Sequence, residues 1–250
     1  MGKCPKLWQS ATGRISTADG EEDGMARDWD LIIFDCDGVL IDSELLSAEV
    51  LIDLLATDGV VIDFDHVRRN FLGRSFPTVA RHIREELGHD LAPDFEALYR
   101  ARLLKRFETE LKPMPGIAPV LAMLGARGVP VCVATSSSPP RVARSLEIVG
   151  LAPALPHVFT ASQVARGKPA PDLFLFAAET MGAAPARCLV IEDSLPGLEA
   201  AQAAGMSAVR YTGGSHLARA QLRHDPGMPI LSDWAELPAL LDRLRPEAVG

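Results

Sequence analysis

The chain reads as an α/β protein, a doubly wound parallel sheet with an all-helical unit inserted after its first strand. Three observations carry that reading. From residue 117 onward, short apolar runs that suit buried strands alternate with helical segments. Between the first apolar run and Lys112 the apolar spacing stays helical, with no strand pattern interrupting it. Acids, hydroxyls and a lysine stand just after the apolar runs, at the strand ends where open parallel sheets bind ligands.

In chain order, Leu31-Ile32-Ile33-Phe34 is the first strand. Asp42-Ser43-Glu44 can cap the helix that follows, in which Leu45, Leu46, Ala48, Val50, Leu51, Leu54 and Leu55 recur near helical spacing until Gly59. Phe71-Leu72, then Val79, Ile83 and Leu87, then Phe95, Leu98, Leu103 and Phe107 mark further helices, and Pro113-Met114-Pro115-Gly116 ends the unit. Beyond that break come a helix over 117–127, strand Val131-Cys132-Val133-Ala134 and a helix over 140–149. A short strand at Val158-Phe159, a helix over 172–181 and strand Cys188-Leu189-Val190-Ile191 follow. A helix over 196–204 and strand Ser207-Ala208-Val209-Arg210 complete the alternation. Such alternation implies right-handed crossovers and a parallel sheet covered on both faces. The domain division expected is a core of residues 28–46 and 114–250 with a helical cap of residues 47–113. Residues 1–27, aperiodic and holding the acidic run Glu21-Glu22-Asp23, read as a flexible tail. Met25, just before the first strand, is a candidate translation start.

Composition bounds the function. At 48% hydrophobic and 23% charged the chain has the make-up of a soluble globular protein. A net charge of −8 argues against a general nucleic-acid or anionic-membrane binder, so an anionic substrate would need local cations or a metal. No apolar run approaches the roughly 18 residues of a membrane helix, and the N-terminus lacks the apolar core of a secretory signal. Cysteines Cys4, Cys36, Cys132 and Cys188 form no C-x-x-C pair, and three of them lie in or beside strands as small buried hydrophobes. The cytoplasm is the expected location. No heptad or apolar stripe demands a partner, so a monomer or weak homodimer is expected. The six histidines (66, 82, 89, 157, 216 and 224) show no ligand spacing and read as structural or exposed.

The strand ends carry the chemistry. Asp35 and Asp37 follow the first strand, and on an extended segment alternate side chains point the same way. Two anions that close repel each other unless a cation or a shared proton relieves them. Thr135, Ser136, Ser137 and Ser138 follow the second strand, and Glu192, Asp193 and Ser194 follow the fourth. Gly167-Lys168-Pro169 precedes a helix between them. In a parallel sheet these groups converge on one edge. Acids that hold Mg²⁺, with a lysine and a hydroxyl for the non-bridging oxygens, suit phosphoryl transfer, and an aspartate nucleophile divides one hard step into two. Singly, each group has an ordinary reading as a turn, a cap or a solvated loop residue. The serine run also serves to end the strand and cap a helix, with Ser136 in reach of substrate. Thr212-Gly213-Gly214-Ser215 reads as a plain turn, and the Cys36 side chain should point away from the acids into the core.

Asp35-Cys36-Asp37-Gly38-Val39, Asp42-Ser43-Glu44, Thr135-Ser136, Lys168-Pro169-Ala170-Pro171-Asp172 and Glu192-Asp193-Ser194 together resemble the signature set of the haloacid dehalogenase superfamily. The resemblance spans about Leu31 to Gly214, in the family's order. It is nearest the β-phosphoglucomutase-like or CbbY-like phosphatases, and it implies a Rossmann-like core with a small helical cap. It further implies that Asp35 is the nucleophile and Asp37 the general acid and base. Mg²⁺ would be held by the carboxylates of Asp35 and Asp193 and the backbone carbonyl of Asp37, with Glu192 close by. Thr135 and Lys168 would bind the transferring phosphoryl group.

The function this implies is Mg²⁺-dependent hydrolysis of a small phosphorylated metabolite, a sugar phosphate or sugar acid phosphate, through an aspartyl-phosphate. A sugar-phosphate mutase is the alternative. Against it, Ser47 occupies the place of that enzyme's histidine, and Phe76 in Gly73-Arg74-Ser75-Phe76 the place of its cap arginine. A dehalogenase needs neither metal nor a second aspartate, so Asp37 with Asp193 speaks against it. Against a binding module without activity stands the filling of every catalytic position. Arg74 is the candidate for a substrate-facing cap residue and would suit a second anionic group. The cap is expected to close on a hinge near Ser43–Leu46 and Met114–Gly116.

Overall fold

A computed structural model of the chain describes residues 29–218 and 227–244. The expected tail, Cys4, the acidic run at 21–23, Met25 and His224 lie outside the described residues. Six parallel strands form one sheet in the order β3-β2-β1-β4-β5-β6: β1 Leu31–Phe34, β2 Val131–Thr135, β3 Val158–Thr160, β4 Cys188–Glu192, β5 Ser207–Tyr211 and β6 Ile230–Leu231. The chain winds outward from β1 to β3, then returns to place β4 on the other flank of β1. The polarity of the winding therefore switches between β1 and β4, where a crevice opens at the carboxyl ends.

Each central strand buries both faces, as a parallel sheet between helices requires. Leu31 and Ile33 point to one side, where Leu173, Phe174 and Ala177 of α7 (Asp172–Met181) and Ala200 and Ala201 of α8 (Leu195–Ala203) cover them. Ile32 and Phe34 point to the other side, into a larger core. There they meet Ile117, Val120 and Leu124 of α5 (Ile117–Ala126) and Leu237, Leu240 and Leu241 of α9 (Leu237–Arg243). Cys36, Cys132 and Cys188 are buried and free, filling the core as small hydrophobes. Strand β6 and helix α9 go beyond the alternation read from the sequence, because a two-residue strand shows no period.

Four helices and no strand intervene between β1 and α5. They are α1 Glu44–Thr57, α2 Phe64–Asn70, α3 Phe76–Glu86 and α4 Phe95–Glu110, and Val67, Phe71, Val79, Ile83, Phe95, Tyr99, Leu103 and Phe107 fill their interior. The proposed boundary between residues 46 and 47 falls in the first turn of α1. The two chain crossings into this insert run side by side. Asp42 N donates to Lys112 O at 3.0 Å and Met114 N to Leu40 O at 2.9 Å, so entry and exit are tied as a short ladder. Among the described residues no helix is long and apolar enough to cross a membrane.

Candidate active site

The carboxyl end of β1 sets the site. Asp35 N still donates to Ile191 O at 3.0 Å, which keeps the backbone extended and turns the Cys36 side chain into the core. Gly38 then takes φ 78°, a left-handed conformation that glycine adopts without steric penalty. A Cβ there would stand 2.2 Å from Asp193 Oδ2, so the bare glycine also admits that carboxylate. Gly197 does the same for Glu192, whose Oε1 a Cβ would meet at 1.7 Å.

Asp35 and Asp37 enter one cavity but meet different partners. Asp35 is buried beside Lys168, whose Nζ donates to Asp35 Oδ1 at 2.5 Å, to Glu192 Oε1 at 2.7 Å and to Ala134 O at 3.0 Å. The ammonium also lies 4.9 Å from the Phe174 ring centroid. Burial pushes Asp35 well above the ordinary carboxylate range, helped by Glu192, Asp193 and Asp37 and opposed by Lys168. For Lys168 the balance is reversed. Burial would lower it, but Asp35 and Glu192 outweigh burial and hold it charged.

Asp37 is held by donors on both oxygens. Ser43 Oγ and Arg141 Nη2 donate to Oδ1 at 2.5 and 2.6 Å, and Ser137 Oγ donates to Oδ2 at 2.6 Å. Burial would raise Asp37, but Arg141 and the two hydroxyls outweigh it, so the carboxyl lies below its usual range. Arg141 reaches this point from the first turn of α6 (Pro139–Ile148). It also donates to Ser47 Oγ at 3.0 Å and lies 5.5 Å from the centroid of Phe107.

The end of β4 completes the site. Glu192 Oε2 accepts from Ser194 N at 2.7 Å and Ser194 Oγ at 2.9 Å, and Ser194 in turn caps α8 by accepting from Gly197 N at 3.2 Å. Asp193 Oδ2 lies 2.8 Å from His216 Nε2, and His216 Nδ1 is buried without a partner. Burial lowers His216 and raises Asp193. Oxygens of Asp35, Glu192 and Asp193 lie within 4.8 Å of one another. Three buried carboxylates served by one lysine have an excess of negative charge. The donor set is all oxygen and suits a hard cation. The Asp37 carboxylate does not join this cluster.

Thr135 is buried on the same cavity wall, and its Oγ1 accepts from Ser137 N at 3.0 Å. Ser136 Oγ donates to Gly73 O at 3.0 Å, and Arg100 donates to Ser138 Oγ, so the helical insert rests on the loop after β2. Arg74 lines the cavity half-buried, and its guanidinium has no partner among the described residues. The structure thus brings together Asp35, Asp37, Thr135, Lys168, Glu192 and Asp193, with Ser136 on the wall beneath the insert and Arg74 on the insert itself.

A sequence profile of haloacid dehalogenase-like hydrolases matches residues 29–205, which hold every carboxylate of the site together with Arg74, Thr135, Arg141 and Lys168, but not His216. The chain is a haloacid dehalogenase-like hydrolase. It is 34% identical to hexitol phosphatase A of Escherichia coli, covering 69% of this chain and 78% of that one. With the 6-phosphogluconate phosphatase of the same bacterium it shares 27% identity over 74% of this chain and 83% of that one. Among solved structures, CbbY from Rhodobacter sphaeroides in complex with phosphate matches at TM-score 0.73 and 27% identity, over 86% of this chain and 99% of that one.

Several groups of this hydrolase site escaped the sequence reading. In sequence Ser137 belongs to a serine run that ends a strand, and Arg141 is one residue of the helix expected over 140–149. Ser43 stands at the N-cap position of α1, but its hydroxyl serves Asp37 and makes no capping bond. Ser138 likewise precedes α6 without a side-chain cap bond. Ser215, in the expected plain turn, donates from Oγ to Asp42 Oδ1 at 2.7 Å, which brings His216 under Asp193. His216 is buried against a candidate metal ligand, a role that histidine spacing alone does not reveal.

Proposed function

We propose that the chain is a Mg²⁺-dependent phosphatase of small phosphorylated sugars or sugar acids, working through an aspartyl-phosphate on Asp35. One observation carries the reading. Two aspartates of one strand face one cavity, Asp35 among carboxylates and Lys168, Asp37 among hydroxyls and Arg141. That split suits a nucleophile beside a proton carrier. The names of the relatives, phosphatases of hexitol phosphate type and of 6-phosphogluconate, agree with it.

In this reading Lys168 and Thr135 hold the non-bridging oxygens of the substrate phosphoryl group against Asp35. The free oxygen of Asp35 attacks phosphorus, the ester P–O bond breaks, and Asp37 delivers a proton to the departing alkoxide. A water then gives its proton to Asp37 and attacks the same phosphorus. The P–O bond to Asp35 breaks, orthophosphate leaves, and Asp35 returns as a carboxylate. A phosphate dianion beside Asp37 raises that residue's proton affinity, which offsets the pull of Arg141 when an acid is needed. Asp35 and Asp193, with the Asp37 backbone carbonyl and Glu192 nearby, would hold Mg²⁺, which supplies charge neutralisation when bound. Ser136 and Arg74 face the substrate, and the helical insert caps the site and excludes bulk water.

The mutase reading loses support from two positions. Ser47 is committed to Arg141 and to Ser43 O, and Phe76 stacks on Tyr99 with centroids 5.8 Å apart. Phosphate release from a panel of sugar phosphates, sugar acid phosphates and an aryl phosphate, with Mg²⁺ and with EDTA, tests the proposal. Release that needs the metal and vanishes in Asp35→Asn is expected. Isomerised sugar phosphate in place of free phosphate would restore the mutase.

A further inference from the structure

The charge of the cleft is opposite to that of the chain. The net charge is −8, yet the outer cleft beneath the insert is lined by Arg74, Arg81, Arg100, Arg166 and Lys168 with Glu96 the one acid among its lining residues. Three of the five cations are already matched. Arg100 is bound to Glu96, Arg166 Nη2 lies 2.7 Å from Asp172 Oδ1, and Lys168 serves Asp35 and Glu192. The guanidiniums of Arg74 and Arg81 have no partner among the described residues; Arg74 precedes α3 and Arg81 lies in its middle.

Their placement is fixed from below. The Ser136 Oγ bond to Gly73 O holds the residue before Arg74 against the loop that carries Thr135, and Arg100 ties α4 to Ser138. Arg74 lines both the inner cavity that holds Asp35 and Asp37 and the outer cleft, whereas Arg81 lines only the outer one. The cleft measures about 540 Å³, within the range of small-metabolite sites. Two unneutralised guanidiniums, set outward from the phosphoryl position, complete a ligand that carries negative charge at its far end.

We infer that Arg74 and Arg81 form a distal anion subsite, so that the preferred substrate is a phosphate monoester with a second anion at its other end. A carboxylate or a second phosphate supplies the same chemistry, and both form bidentate contacts with arginine. The inference rests on the phosphatase reading above.

The experiment compares kcat/KM for three esters: 6-phosphogluconate, glucitol 6-phosphate and fructose 1,6-bisphosphate, with an aryl phosphate as a control for phosphatase chemistry. The first two share a six-carbon chain and differ at the far end, carboxylate against hydroxymethyl. At low salt the gluconate or the bisphosphate is expected to exceed the glucitol ester by about 10-fold or more. Which of the two is favoured names the source of the anion. In Arg74→Gln and Arg81→Gln, each checked for unchanged melting temperature, that ratio is expected to fall about 3- to 10-fold, and added salt to shrink it in the wild type. A glucitol ester that matches or exceeds both anionic ones, or ratios unmoved in both variants, overturns the subsite while leaving the phosphatase standing. No phosphate from any of the four compounds would overturn the phosphatase reading and the subsite with it.

Discussion

Glu44 gives the sharpest quantitative test of the electrostatics around the site. It is the first residue of α1 and 5% exposed, and no hydrogen-bond donor among the described residues reaches its carboxyl. It lines the cavity with Asp37, Ser47 and Arg141. Burial first, then the charges of Asp37 and Asp193, raise its pKa from 4.5 to about 8, against the opposing pull of His216 and Arg141. A buried carboxyl of this kind holds its proton in the folded protein and releases it on unfolding. Below the unfolded value both states are protonated and nothing is lost. As pH climbs from 4.5 toward 8, the unfolded state ionises while the folded one does not, so stability falls by about 1.4 kcal/mol per pH unit. Above the folded value the loss levels off, on the order of 3–5 kcal/mol, a large part of a typical domain's stability.

Glu44→Gln removes the titration and nearly preserves shape. Urea unfolding of wild type and variant, in EDTA at about pH 5 and about pH 8.5, separates this residue from the other titrating groups, which both proteins share. The variant's advantage over wild type is expected to grow by several kcal/mol between the two pH values. Parallel stability curves would refute the reasoning and show that Glu44 ionises normally, through water or a rearranged Arg141.

Other residues give further expectations. Lys168→Ala strands Asp35 and Glu192 without their cation; about 3–5 kcal/mol of stability should be lost in urea unfolding of the metal-free protein, with phosphatase activity abolished. His216→Leu removes the polar partner of Asp193, and Mg²⁺ affinity by calorimetry should weaken about 10- to 100-fold while His216→Gln retains more of it; equal affinities would reduce His216 to packing. Arg141→Met takes away the largest influence that lowers Asp37, so the basic limb of the kcat/KM profile, which a general acid sets, should move to higher pH, and an unmoved limb would separate it from Asp37. Gly38→Ala forces a side chain into a left-handed position and onto Asp193 Oδ2, and thermal melts should show a loss of about 1–3 kcal/mol.

What the sequence made legible follows from which signals are local. An apolar run of four ending in two acids one residue apart announces β1 and its catalytic end, because period two fixes where both side chains point. The alternation that follows implies a parallel sheet, and that alone brings Thr135, Glu192-Asp193 and the Lys168 that precedes a helix to one edge; the strand order that makes β2 and β4 the neighbours of β1 comes from the structure. Arg141 is different. Pro139-Pro140-Arg141 looks like any helix start, and its burial depends on α4 laying Phe107 and Tyr99 over it. His216 lies beyond β5 and reaches Asp193 only because Ser215 is bonded to Asp42, a contact between residues 173 positions apart. Ser43 shows the opposite failure, since a local signal, the helix cap, was overridden by a tertiary partner. Long-range side-chain contacts leave no period in the sequence, which is why the strand-end acids were visible and the groups that tune them were not.

The topology explains why two aspartates so close in sequence meet such different surroundings. Strand β1 lies between β2 and β4, and each neighbour contributes its own chemistry at its carboxyl end. On the β4 side stand Glu192 and Asp193, which concentrate negative charge against Asp35 and call for Lys168 and a cation. On the β2 side stand Thr135 and Ser137, and α6 then brings Arg141; Ser137 and Arg141 bind Asp37 through hydrogen bonds. A single extended segment presents both acids to one cavity, while the switch in winding direction beside β1 sorts their neighbours. In the proposed mechanism, division of labour between nucleophile and proton carrier therefore needs no difference in the aspartates themselves. It follows from which strand ends flank each of them, and exchanging the surroundings, not the acids, is the change that would exchange their roles.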